Sequence, residues 1–193
     1  KKSQIKKLYV TENLIILGGC CLLKKRLYKN DCADLNKIKT MDVNKPIEAQ
    51  YTESSLFLSP IKQNKIEAAT GKITGLIVPH HLLAVDLVAE AFAYISAGKY
   101  QNIVLLSPDH FSAGSSEISI TEQNFSTVFG EVKTDKEISR ELKKLPFISE
   151  SDFFYREHGL QAILPFIRYY FPEAKITAIT FKPTVSRPQL DQI

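Results

Sequence analysis

Ile73-Thr74-Gly75-Leu76-Ile77-Val78, then Leu82 to Ala97, then Asn102-Ile103-Val104-Leu105-Leu106 are the stretches that decide the fold. The first is a continuous apolar run stopped by Pro79, the pattern of a strand buried on both faces. The second predicts a helix with Leu83, Leu87, Val88, Ala91, Phe92 and Ile95 on one stripe and Gly98 as its C′ residue. The third is a second buried strand, stopped by Ser107-Pro108. Strand, helix and strand follow one another closely enough to form a βαβ unit, so the sheet is expected to be mainly parallel.

Working towards the C-terminus, Ile118–Thr121 predicts a short strand and Lys175–Phe181 a longer one ended by Lys182-Pro183. Thr134–Lys144 predicts a helix capped by Thr134, with Glu137 completing a capping box. Glu157–Tyr170 predicts another, kinked near Pro165. Ser186-Arg187-Pro188-Gln189-Leu190 reads as the first turn of a helix, and the domain is expected to continue beyond Ile193. The body, residues 56–193, is α/β, a mainly parallel sheet flanked by helices.

Working towards the N-terminus, a short helix is expected from Ile61 to Ala69, ended by Gly71. Residues 24–55 are polar, with turn signals at Asn30-Asp31, Asn36-Lys37 and Asn44-Lys45-Pro46, and read as a linker. Residues 1–23 are a basic and apolar lead-in with the outline of a signal segment. Within it, Leu17-Gly18-Gly19-Cys20 resembles a bacterial lipobox in which Cys20 would carry the lipid, although Glu12 and Asn13 interrupt the apolar core. The expectation is a cytoplasmic protein; the alternative is a membrane-anchored lipoprotein held through Cys20.

Composition narrows the function classes. The 193 residues are 44% hydrophobic and 24% charged, which is too apolar for a disordered chain and excludes collagen and coiled coil. No run of about 18 apolar residues is present, which excludes a polytopic membrane protein. The net charge of +4 is unevenly spread. Basic residues dominate up to position 47, whereas the remainder is mildly acidic, which argues against a nucleic-acid-binding fold. Cys20, Cys21 and Cys32 are odd in number and form no C-x-x-C, so neither a zinc site nor a disulfide framework is expected from them.

The four histidines are the most informative feature. His80 and His81 follow the first strand of the βαβ unit, His110 follows its second, and His158 opens the later helix after Glu157. Ligands of open parallel sheets bind beyond the carboxyl ends of the strands. The two strands are expected to be neighbours, about 5 Å apart, and so to deliver His80 and His110 to one edge, where they can converge on one metal ion. Asp109 and Glu157 each read as a metal ligand, an acceptor behind a ligand, an acid or base, or a plain helix-start carboxylate. No G-x-G-x-x-G, G-x-x-x-x-G-K or G-x-S-x-G pattern occurs, so phosphate-loop and serine-nucleophile readings have no support.

Four segments resemble, in order, elements of the Memo family. Gly75-Leu76-Ile77-Val78-Pro79-His80-His81 resembles its Gly-x-Ile-x-Pro-His element, and Leu105-Leu106-Ser107-Pro108-Asp109-His110 its Gly-Pro-Ser-His element. Phe129-Gly130-Glu131-Val132-Lys133-Thr134-Asp135 is similar to its Leu-Gly-x-x-x-x-Asp turn. Arg156-Glu157-His158-Gly159-Leu160-Gln161-Ala162-Ile163-Leu164-Pro165-Phe166 resembles its Glu-His-Ser-Leu-Glu-x-Gln-Leu-Pro-Phe helix. Departures are His81 for a small residue, Asp109 for Ser, Phe111 for a second His, Gly159 for Ser and Gln161 for Glu.

The resemblance implies a fold like that of the class III extradiol dioxygenases and a single iron or copper ion held by His80 and His110. It implies that Glu157 and His158 line the same pocket as catalytic residues. The third family ligand, a Cys in Memo and a Glu in the dioxygenases, would lie beyond Ile193. In bacteria and archaea such proteins are named AmmeMemoRadiSam system protein B. This implies either a metal-dependent redox enzyme acting on a small molecule or O2, or a non-catalytic adaptor working with AmmeCR-type and radical SAM proteins.

Overall fold

The computed structural model describes residues 13–19 and 45–193. In chain order the elements are β1 (Asn13–Gly19), α1 (Ser55–Gln63), β2 (Gly75–Pro79), α2 (Val85–Tyr94), β3 (Asn102–Pro108) and β4 (Ile118–Ile120). Then come β5 (Phe125–Thr127), β6 (Gly130–Thr134), α3 (Lys136–Leu142), β7 (Ile148–Glu150), α4 (His158–Gln161), α5 (Leu164–Tyr170), β8 (Lys175–Phe181) and α6 (Arg187–Leu190). Two 3-10 turns, Leu82–Ala84 and Phe153–Arg156, lead into α2 and α4.

The main path of the sheet runs β2-β1-β3-β8-β4-β7. The first three pairings along it are parallel, as is β4 with β7; β4 runs antiparallel to β8 and β5 to β6. The far edge of β8 is shared, with β6 pairing at Lys175 and Ile176 and β4 pairing at Ile179 to Phe181. The α/β class with a mainly parallel sheet is therefore as expected from the βαβ pattern.

One face of the sheet carries the principal core. Ile103, Leu105, Ile176 and Ala178 meet Phe57 of α1, Val88 and Phe92 of α2, and Phe166 and Ile167 of α5. Phe166 sits 5.5 Å from both Phe57 (edge-on) and Phe92 (stacked), so one ring ties three helices together. A smaller cluster, Ile118, Ile120, Ile148 and Ile179, lies apart from it with Leu142, Phe147 and Phe181 packed against it.

Several local expectations are corrected. Residues 13–19, assigned above to a lead-in, form a strand lying between β2 and β3. Cleavage ahead of Cys20 would remove that strand, so the strand and the lipobox are alternative readings of one segment. Cys20, Cys21, Cys32 and most of the 24–55 linker lie outside the described residues. β2 is not buried on both faces: it is an edge strand, with Ile77 70% exposed.

The helix expected from Leu82 to Ala97 is a 3-10 turn followed by the shorter α2, and its inward face is Val88, Ala89 and Phe92; Leu83 and Leu87 point to solvent. Gly98 is not a left-handed cap. It is small because a Cβ would fall 2.4 Å from the Tyr100 ring. α1 begins at Ser55 rather than Ile61 and runs through Pro60, because Phe57, Pro60 and Ile61 are buried together, which outweighs the missing backbone donor. α3 is capped by Asp135, whose carboxylate accepts from the amides of Glu137 and Ile138 at 3.1 Å each, while Thr134 belongs to β6. The kink foreseen at Pro165 is a break between α4 and α5, with Pro165 at the start of α5, where its lost donor costs nothing. α6 forms where Ser186 predicts it, the Ser186 amide donating to Gln189 Oε1 at 2.8 Å. Among the described residues no helix is long and apolar enough to cross a membrane.

A candidate metal centre at the carboxyl edge of the sheet

β2 and β3 run in the same direction and end at the same edge, so the residues after Pro79 and Pro108 emerge side by side. The two strands are not neighbours. β1 lies between them, which puts their backbones two strand spacings apart, roughly 10 Å. The side chains close that gap: the His80 and His110 rings are 4.6 Å apart between centroids.

The short turn Phe153–Arg156 brings the start of α4 back over the same edge. His158 there lies 4.2 Å from the ring of His110 and 5.4 Å from that of His80. His81 completes the group, 4.4 Å from His80 and 5.6 Å from His158, on the exposed side. All four histidines of the chain thus form one cluster. His80, His110 and His158 each offer a ring nitrogen, and these three atoms lie within 4.8 Å of one another. Nitrogens sharing one ion tetrahedrally at about 2.1 Å each stand ~3.4 Å apart, so binding would draw the rings together by up to about 1.4 Å.

The protonation chemistry suits a cation. His80 is 1% exposed, and neither Nδ1 nor Nε2 has a hydrogen-bond partner. Burial, and then the neighbouring imidazoles, push its pKa down to about 4, so the ring is neutral and holds a lone pair at neutral pH. Burial lowers the pKa of His158 as well, with His110 next in effect. The Nε2 of His110 is likewise buried without a partner. Buried polar atoms left unpaired are uncommon in native proteins, and three on two facing imidazoles are donors of the kind a transition-metal cation takes.

Glu157 has the opposite character. It is fully buried and fully engaged. Oε1 accepts from His110 Nδ1 at 2.6 Å and from the Gly159 amide at 3.0 Å, and Oε2 accepts from the His110 amide at 3.1 Å. One carboxylate therefore starts α4, fixes the His110 loop and holds the ring with Nε2 free. The sequence reading made Glu157 catalytic; its contacts are those of a residue that orients His110.

Asp109 is resolved too. It is 4% exposed and accepts from the amides of Phe111 (3.3 Å), Ala113 (3.0 Å) and Gly114 (2.9 Å), which makes it a loop brace. Gly159, noted above as a departure from the family pattern, leaves no room for a side chain. A Cβ there would come 2.2 Å from Ser107 Oγ and 2.9 Å from His110 Cε1. The family resemblance put His158 in this pocket as a catalytic residue; the return of the chain after Phe153 sets its ring nitrogen among the candidate donors. The adjacency of Glu157 and His158 was the available signal.

Fold and site together define an α/β protein whose parallel sheet carries, at its carboxyl edge, convergent imidazoles that could hold a metal ion. The family follows from comparison. Residues 35–187 match the model of the Memo-like protein family, and the chain belongs to that family. A MEMO1 family protein of Caldivirga maquilingensis is 30% identical over 127 residues, covering 63% of this chain and 45% of that protein. One from Ignicoccus hospitalis is 29% identical over 128 residues, covering 62% and 45%. The chain thus spans about half the length of the curated relatives it matches. Among solved structures, pyrrolidone carboxyl peptidase from Thermococcus litoralis matches over 92% of this chain and 79% of its own at 10% identity, with a TM-score of 0.40, too low to carry an argument.

Proposed function

We propose that the chain is a Memo-type metalloprotein in which His80, His110 and His158 hold one iron or copper ion and form a redox centre of the dioxygenase type. The observation that carries this is the pair of facing imidazoles, buried His80 and partly buried His110, with three buried ring nitrogens between them that have no partner. Three imidazoles suit first-row transition metals and leave coordination positions for small molecules. A bound ion would supply one-electron chemistry and Lewis acidity.

The chain's own residues do the rest. Glu157 holds His110 in one ring orientation, and His80 stays unprotonated because it is shut away from water. His158, partly exposed like His110, lies against both His110 and the buried His80. By the same reading the protein is an AmmeMemoRadiSam system protein B. It acts on a small molecule or O2, alongside AmmeCR-type and radical SAM partners. It is taken as cytoplasmic, with membrane attachment only through a lipidated Cys20.

Metal analysis tests the reading. The purified chain, reconstituted separately with ferrous and cupric ion, is expected to retain about one ion per chain. The His80→Ala/His110→Ala variant is expected to retain none. Metal-dependent O2 consumption supports the enzyme. Stoichiometric metal without it leaves the adaptor, and a folded wild-type chain that binds neither ion ends the proposal.

A further inference from the structure

Arg156 stands at the rim of the histidine cluster and has no anionic partner among the described residues. It closes the 3-10 turn immediately before Glu157. Its guanidinium carbon lies 5.2 Å from the centre of the Phe111 ring, and that ring stands edge-on to His158 at 6.0 Å. Arg156, Phe111 and His158 thus form a continuous file from solvent to the donor set, with Phe111 51% exposed.

Among the described residues no carboxylate pairs with Arg156, and its buried Nε has no acceptor. The acids that precede His110 and His158 in sequence are already used: Glu157 by His110 and Gly159, and Asp109 by the amides of its own loop. The Nε is closed off from solvent, so an incoming acceptor would meet the terminal nitrogens of the guanidinium. Its planar fork matches a carboxylate, and an exposed aromatic face beside it suits a flat apolar body.

We propose that Arg156 and Phe111 form the specificity lip of the site, selecting small ligands that carry a carboxylate on a flat, apolar frame. This deepens the proposed function by naming a ligand class for the same centre, and the Arg156 contact itself does not require the metal. Benzoate and the neutral benzamide are the probes, titrated calorimetrically into the full chain with and without cobalt. Benzoate is expected to bind at least about tenfold more tightly than benzamide. Arg156→Gln abolishes that ratio, and Arg156→Lys keeps part of it. Circular dichroism and cobalt content of the Gln variant are expected to match wild type.

Equal binding of the two probes, no benzoate binding at millimolar concentration, or an undiminished ratio in Arg156→Gln each overturns the proposal. If cobalt binds and the ratio ignores Arg156, the lip fails alone. If no metal binds and the Arg156-dependent ratio persists, the metal reading fails and the lip stands.

Discussion

Glu157 Oε1 lies 2.6 Å from His110 Nδ1, and the other oxygen of the same carboxylate takes the His110 backbone amide at 3.1 Å. The two residues are 47 positions apart in sequence, and this double contact locks the loop after β3 to the start of α4. Removing the acid should loosen the ring it aims. Glu157→Gln is expected to lower metal affinity by 10- to 100-fold, about what loss of such an outer partner costs, measured by competition with a chromogenic chelator. An unchanged affinity would show that His110 is oriented by other means.

His80 sets function against stability. A fully buried imidazole with two unpaired nitrogens costs about 1–3 kcal/mol relative to an apolar side chain. His80→Leu should therefore raise the thermal midpoint of the metal-free protein by about 2–4 °C for each kcal/mol recovered. The same variant should lose the rise in midpoint that metal gives wild type. A lower midpoint without metal would mean the ring packs better than a leucine does.

The depressed pKa of His80 makes stability depend on pH in a fixed direction. The unfolded ring takes a proton below about pH 6.5, whereas the folded ring resists until about 4. Stability of the metal-free protein is thus full above pH 6.5 and falls as pH drops towards 4. Denaturant titrations across that window, compared with His80→Leu, isolate this contribution. Parallel pH profiles for the two proteins would refute it.

Gly159→Ala introduces a Cβ 2.2 Å from Ser107 Oγ and 2.9 Å from His110 Cε1. The hydroxyl can rotate away, but His110 is held by Glu157. Expected are a loss of about 1–3 kcal/mol in stability and weaker metal binding. Adding Ser107→Ala should recover only part of each, as read by urea midpoints and chelator competition.

Asp109→Ala separates the brace from the donors. Three backbone amides lose their acceptor, so the loop from Phe111 to Gly114 should exchange its hydrogens faster and stability should fall by about 1–3 kcal/mol. Metal affinity should change less than in Glu157→Gln, because Asp109 touches no imidazole. A larger effect on metal than on stability would return Asp109 to the site.

What the amino-acid sequence alone determined is local and periodic. The apolar runs at 73–78, 102–106 and 175–181, with a helix between the first two, decided a parallel α/β sheet, and the strand-end positions of His80 and His110 marked its functional edge. Tertiary structure decided the rest. It placed β1 between the histidine-bearing strands and folded the Phe153–Arg156 turn back so that His158 joined the cluster. It spent Asp109 on a loop and Glu157 on His110. The physical reason is range. Hydrophobic period and turn chemistry act over a few residues, whereas strand order, convergence of donors and the partner of each buried carboxylate are set by contacts between segments tens of residues apart, which no local pattern encodes.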